Sequence, residues 1–129
     1  MPAKSQHDYA VYLFQQGRYA DAIMQFDELL QEQETGEMWS DWATAQFALS
    51  NHKEAENGFR RALELTPGLP DAAVNFGAML VGLNRWKEAV DMLEGVLPKL
   101  QPEERNSVSA LVEQCRAQFV PLERTFAMR

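Results

Sequence analysis

The sequence predicts an all-α chain built as a stack of helical hairpins, and three observations lead there. First, it repeats itself. Ala22, Ala55 and Ala89 stand 33 and 34 residues apart, and the same interval recurs in several other columns. Phe26, Phe59 and Leu93 lie four residues beyond each alanine, Leu30, Leu63 and Leu97 eight beyond, and Ala10, Ala43 and Gly77 twelve before. A period of this length is the mark of a helical repeat array. Second, apolar residues inside each unit follow the i, i+3, i+4, i+7 spacing of a helix with one buried face. Third, glycines and prolines fall where that period needs turns.

Taken in order, helices are predicted near residues 5–16, 19–32, 38–49, 53–65, 70–83 and 86–99. The first members carry Tyr9, Ala10, Leu13; then Trp39, Trp42, Ala43, Gln46; then Ala73, Phe76, Gly77, Leu80. The second members carry Ala22, Ile23, Phe26, Leu29, Leu30; then Ala55, Phe59, Ala62, Leu63; then Ala89, Val90, Leu93, Val96, Leu97. Gly17, Gly36 and Pro67-Gly68-Leu69-Pro70 mark turns, Pro70 opens a helix, and Pro98 and Pro102 bracket the end of the sixth. The small residues Ala10, Ala43, Gly77 and Ala22, Ala55, Ala89 let paired helices approach closely. Tyr19, His52 and Trp86 share a column where a ring can wedge between helices, and His52 reads there as a packing or surface residue. A seventh helix over 103–119 carries Val108, Leu111, Val112 and Cys115 on one stripe. Such an element caps the last repeat, whose apolar face is otherwise open. Cys115 on that stripe reads as a small buried hydrophobe.

The 129 residues suit one domain, 1–129, with repeats over about 3–35, 36–69 and 70–102, the cap at 103–119 and a tail at 120–129. The formal net charge of −7 repels phosphate, so nucleic acid and anionic membrane are excluded as expected partners. A basic partner segment suits that charge without being required by it. The single cysteine allows no intrachain disulfide, and His7 and His52 stand too far apart to suggest a metal motif. No signal peptide is legible at the start, and a reducing, cytoplasmic location is the expectation. No phosphate-cradling glycine loop occurs, and carboxylates such as Asp27, Glu28, Glu54, Glu56 and Glu64 fall on outward faces as solvated charges. The chain is therefore expected to be no enzyme and to need no cofactor or metal.

These columns resemble the tetratricopeptide repeat (TPR) family. Trp39, Ala43, Ala55, Phe59, Ala62 and Pro67 match its signature in the second repeat, and Phe76, Gly77, Leu80 and Ala89 in the third. The first repeat keeps Gly17, Tyr19, Ala22 and Phe26 but has Glu34 where proline is usual. The resemblance implies a right-handed α-α superhelix of three hairpins, whose first helices line a concave groove that binds a protein or peptide. On the groove columns stand Lys4, His7, Val11, Phe14 and Gln15; Glu37, Ser40, Thr44, Phe47 and Ala48; Asp71, Val74, Ala78, Val81 and Gly82; and, from the cap, Asn106, Ser109 and Glu113. The set implies an apolar floor with charged rims. Some members hold a C-terminal carboxylate in a clamp of Lys, Asn and Arg. Here Val11 and Asp41 replace the asparagines, and Asp71 and Asn75 the cations, so chaperone-tail binding of that kind is not expected. Secretion-chaperone scaffolds with three such repeats have similarly apolar grooves. Two alternatives stand beside this reading. The stretch from Glu34 to Ala43 is similar to repeats that flank bacterial glycosyltransferase or methyltransferase domains, which would make the chain a regulatory or assembly segment of a larger enzyme. The tail, with Leu122, Phe126 and Met128, could instead join copies into a homo-oligomer.

Overall fold

A computed structural model describes residues 5–119; Lys4 and the tail 120–129 lie outside the described residues. Seven α-helices occur among the described residues: α1 (Gln6–Gln15), α2 (Tyr19–Glu32), α3 (Gly36–Ala48), α4 (His52–Leu65), α5 (Pro70–Gly82), α6 (Trp86–Val96) and α7 (Pro102–Arg116), with a 3-10 turn at Leu97–Lys99. No strand is present among them. The chain divides into two compact units, one ending at Ala72 and the other starting at Ala73.

The turn inside each hairpin is built the same way. Gly17 (φ +78°), Ser50 (φ +64°) and Asn84 (φ +60°) occupy one column and are left-handed. The next residue's N–H then reaches back five positions: Arg18 to Leu13 O, Asn51 to Gln46 O and Arg85 to Leu80 O, each at 2.9 Å. This closure satisfies carbonyls that a helix end leaves orphaned. At helix starts, Ser5 Oγ accepts from the Asp8 N–H and Thr35 Oγ1 from the Met38 N–H, both at 3.1 Å.

In the first unit, Ala10, Leu13, Ala22 and Phe26 form a buried cluster between α1 and α2, and Val11, Phe14, Leu29 and Trp42 pack against it. Trp42 ties α3 to this hairpin, its indole N–H donating to Asp27 Oδ1 at 2.8 Å. Ala43, Ala55, Phe59 and Ala62 are fully buried, and they join α3 to α4. In the second unit, a Cβ added to Gly77 would run into the side chain of Leu93, so the missing side chain sets how closely α5 meets α6. Val108, Val112 and Cys115 are buried on α7, which packs on α6. Burial pushes the Cys115 thiol up from its ordinary value.

Several details differ from the sequence expectation. Gly36 begins α3 rather than marking a turn before it. A Cβ there would collide with the Thr66 side chain, so glycine is required by close approach, and Thr35 supplies the cap. The sixth helix stops at Val96, and Pro98, which has no N–H to continue the ladder, sits in the 3-10 turn. The seventh stops at Arg116. Glu34, at the usual proline column, fastens the second turn instead: it accepts from Trp39 Nε1 at 2.8 Å and Arg61 Nε at 3.1 Å. The Arg61 bond, then the Trp39 bond, hold its carboxyl below the usual range. Asp27, Glu28 and Glu64 are exposed as expected and Glu56 is half-buried, and each also holds a partner: Trp42, Gln6, Arg61 and Arg60 respectively. Tyr9, expected on the buried stripe, is 48% exposed. Its counterpart Trp42 packs on a preceding hairpin, and among the described residues none precedes α1.

Gly95 differs from these close-approach glycines. It lies in the last turn of α6 with nothing within 4 Å of an added Cβ. Gly95→Ala is therefore expected to raise stability by about 0.5–1 kcal/mol, through lost freedom in the unfolded chain. Paired urea titrations would read this as a higher midpoint, and a lower one would contradict it.

Candidate functional site

The site is built from α1 and α3 in the first unit. His7, Val11 and Phe14 follow i, i+4, i+7 on α1, and Glu37, Asp41, Thr44 and Phe47 follow a similar progression on α3, so each set shares one helix face. The two helices are bridged where His7 Nε2 lies 2.9 Å from Asp41 Oδ2. The His7 ring also meets Phe26 edge-on at 5.9 Å, which anchors it to the hairpin core. Asp41 is partly buried. Loss of solvent is the main cause that pushes its carboxyl above the ordinary value; the hydrogen bond from His7 opposes this, while Glu37 and Asp71 add to it as like charges.

Val11, Phe14, Thr44 and Phe47 are half-buried. Each phenylalanine leans on a ring at the start of the following helix: Phe14 on Tyr19 at 5.2 Å and Phe47 on His52 at 5.8 Å. The wedge column thus supports the strip from behind. Gln15, Glu37, Ala48 and Asp71 are exposed around it. Ser40 differs from its assignment. It is only 2% exposed, and its carbonyl accepts from Thr44 Oγ1 at 2.8 Å, so its side chain has no open surface to offer a visitor.

In the second unit, Val74 and Val81 are half-buried on α5, and Ala78 and Gly82 are exposed. On α7, Ser109 is half-buried and Asn106 and Glu113 are exposed. Asp41 was absent from the expected site residues. The resemblance had put it on a clamp column only as a departure from asparagine, and its bond to His7, 34 residues away on another hairpin, was not legible in the repeat pattern. Among the described residues, no group of three or more His, Cys, Asp or Glu side chains could hold a metal ion, and no helix is long and apolar enough to cross a membrane.

The structure matches the first TPR of Spaghetti (RPAP3), solved bound to the HSP90 peptide SRMEEVD, with a TM-score of 0.78. The chain has the tetratricopeptide repeat fold. That match has 20% sequence identity and covers 89% of this TPR chain and 90% of the other. The TPR2B domain in the pHsp70 complex of yeast Sti1 is similar as well, with a TM-score of 0.75 at 18% identity over 88% of this chain and 98% of that one. No family model and no curated protein matches the sequence. Helix pairing in a TPR depends on small residues at a few columns, and Ala10, Ala22, Ala43 and Ala55 meet that need here at full burial.

Proposed function

We propose that this TPR chain is a protein-interaction module that holds a peptide or helix of a partner on the apolar strip between α1 and α3. The observation that carries this reading is the half-buried row Val11, Phe14, Thr44 and Phe47, set on two packed hairpins and backed by rings of the same chain. Apolar side chains left partly open in a row are a common mark of an interaction surface. The two solved TPR domains of similar fold are complexes with an HSP90 peptide and with pHsp70, which supports a peptide as the class of partner. Val74, Ala78 and Val81 of the second unit are the other apolar residues on the expected groove columns. The regulatory-segment reading draws no support from these comparisons.

Affinity would come from burying the visitor's apolar side chains, worth roughly 25 cal/mol per Å² before ordering costs. The test is selection from a displayed library of random peptides, followed by Phe47→Glu. Wild-type protein is expected to enrich binders rich in apolar residues. The variant should keep its helical circular dichroism and bind the enriched peptides at least about tenfold more weakly, since the new carboxylate would have to be desolvated. Unchanged affinity in a folded variant would remove the strip from the site.

A further inference from the structure

We infer that the strip between α1 and α3 selects a peptide that carries a lysine or arginine beside its apolar side chains. This deepens the peptide-binding reading above and rests on it. The strip is apolar along Val11, Phe14 and Phe47, and among the described residues carboxylates outnumber the one basic group, His7, that meets them there. Asp41 is partly buried at its edge, and Glu37 and Asp71 lie close enough to act on Asp41 as like charges. The only basic side chain among the described residues that meets this group is His7, at 2.9 Å from Asp41. Ion pairs of the described arginines lie elsewhere, among them Arg18 with Asp21, Arg60 with Glu56, Arg61 with Glu34 and Glu64, Arg85 with Glu88, and Arg116 with Glu94 and Glu113. No lysine or arginine among the described residues forms an ion pair with Glu37, Asp41 or Asp71.

Three carboxylates and one imidazole around an apolar strip favour a cation brought by the visitor. A carboxylate brought there would meet like charge, which disfavours it by desolvation and repulsion together. The charge logic is opposite to what a peptide such as SRMEEVD, bound by the similar RPAP3 domain, would need. An overall charge of −7 points the same way, since it steers cationic segments toward the protein. Asp41 does two jobs in this arrangement. It fastens α1 to α3 through His7, and its charge adds to that of Glu37 and Asp71.

The experiment starts from one peptide selected from the random library by the full chain. Two synthetic forms are made that differ only in the residues flanking the apolar positions, lysine in one and glutamate in the other, and both are titrated by isothermal calorimetry. The lysine form is expected to bind at least about tenfold tighter at low salt, and the margin should shrink as salt rises. In the double variant Glu37→Lys, Asp71→Lys, whose sites are exposed, the preference should fall or reverse while the fold persists by circular dichroism. Equal binding of the two forms, or a preference for glutamate, overturns the inference and leaves the apolar strip standing as a peptide site. A lysine preference that survives the double variant also overturns it, because the selecting charges would then lie elsewhere. If selection enriches no peptide, the peptide-binding reading itself fails and the inference falls with it.

Discussion

Phe26→Ala is expected to cost about 3–5 kcal/mol of stability, among the largest effects of any single truncation in the first unit. Phe26 is fully buried and among the largest side chains that are, in the cluster with Ala10, Leu13 and Ala22. The small neighbours decide the magnitude. Alanines cannot swing into the space a lost ring leaves, so most of the cavity stays open and its cost is added to the lost transfer energy. Two further contacts depend on the ring. Trp42 packs against the same cluster and brings α3 with it, and His7 rests edge-on against Phe26 at 5.9 Å. With typical domain stabilities of about 5–15 kcal/mol, the loss takes a large share of the total. Urea titration followed by circular dichroism reads the loss. A cost under about 1 kcal/mol would mean that this cluster does not hold the first two hairpins together. Because His7 positions the Asp41 end of the strip, the folded fraction should also bind its selected peptide more weakly.

Gly58→Leu is expected to cost about 1–3 kcal/mol, against the direction of helix propensity. In an open helix the change would help, because glycine is about 0.8–1 kcal/mol worse than alanine there. Here a Cβ would lie 2.7 Å from Trp42 Cε3 and 2.8 Å from Ala43 Cβ. Neither neighbour can give way cheaply. Ala43 is fixed to the backbone of α3, and the Trp42 indole is pinned by its 2.8 Å bond to Asp27 and by Trp39, which meets it edge-on at 5.3 Å. Overpacking would therefore push α4 away from α3 and bend the strip that carries Phe47. Thermal unfolding of Gly58→Leu and Gly95→Ala should move in opposite directions from wild type. A stabilised Gly58→Leu would show that the α3–α4 contact has slack that the geometry denies.

The two glycines show how far sequence reasoning reached. Gly77 was legible as a close-approach residue because it shares a column with Ala10 and Ala43. Gly58 was not, since its counterparts by the same period are Gln25 and Met92. It is needed only where an indole, rather than the Tyr9 or Phe76 ring of the matching columns, turns toward α4. Helix spans were readable to within a few residues throughout, because apolar spacing and left-handed turns are local properties. Even so, Gly36 looked like a breaker, and only the nearness of Thr66 explains its place inside α3. The site was half legible. The apolar members of the strip on α1 and α3 followed from their columns, but the same columns placed Ser40 on the surface, and it is buried.

Periodicity alone determined that the chain is helical, where its hairpins turn and which columns pack, since each of these depends on residues within one or two helical turns or at one fixed interval. Tertiary structure alone decided which carboxylate meets His7, which glycine lies under an indole and which residues of the strip stay open. Those outcomes depend on distances between side chains of different hairpins. A repeating pattern specifies the average spacing of such hairpins, whereas the charge and contacts at one particular edge are set by the residues in which the repeats differ.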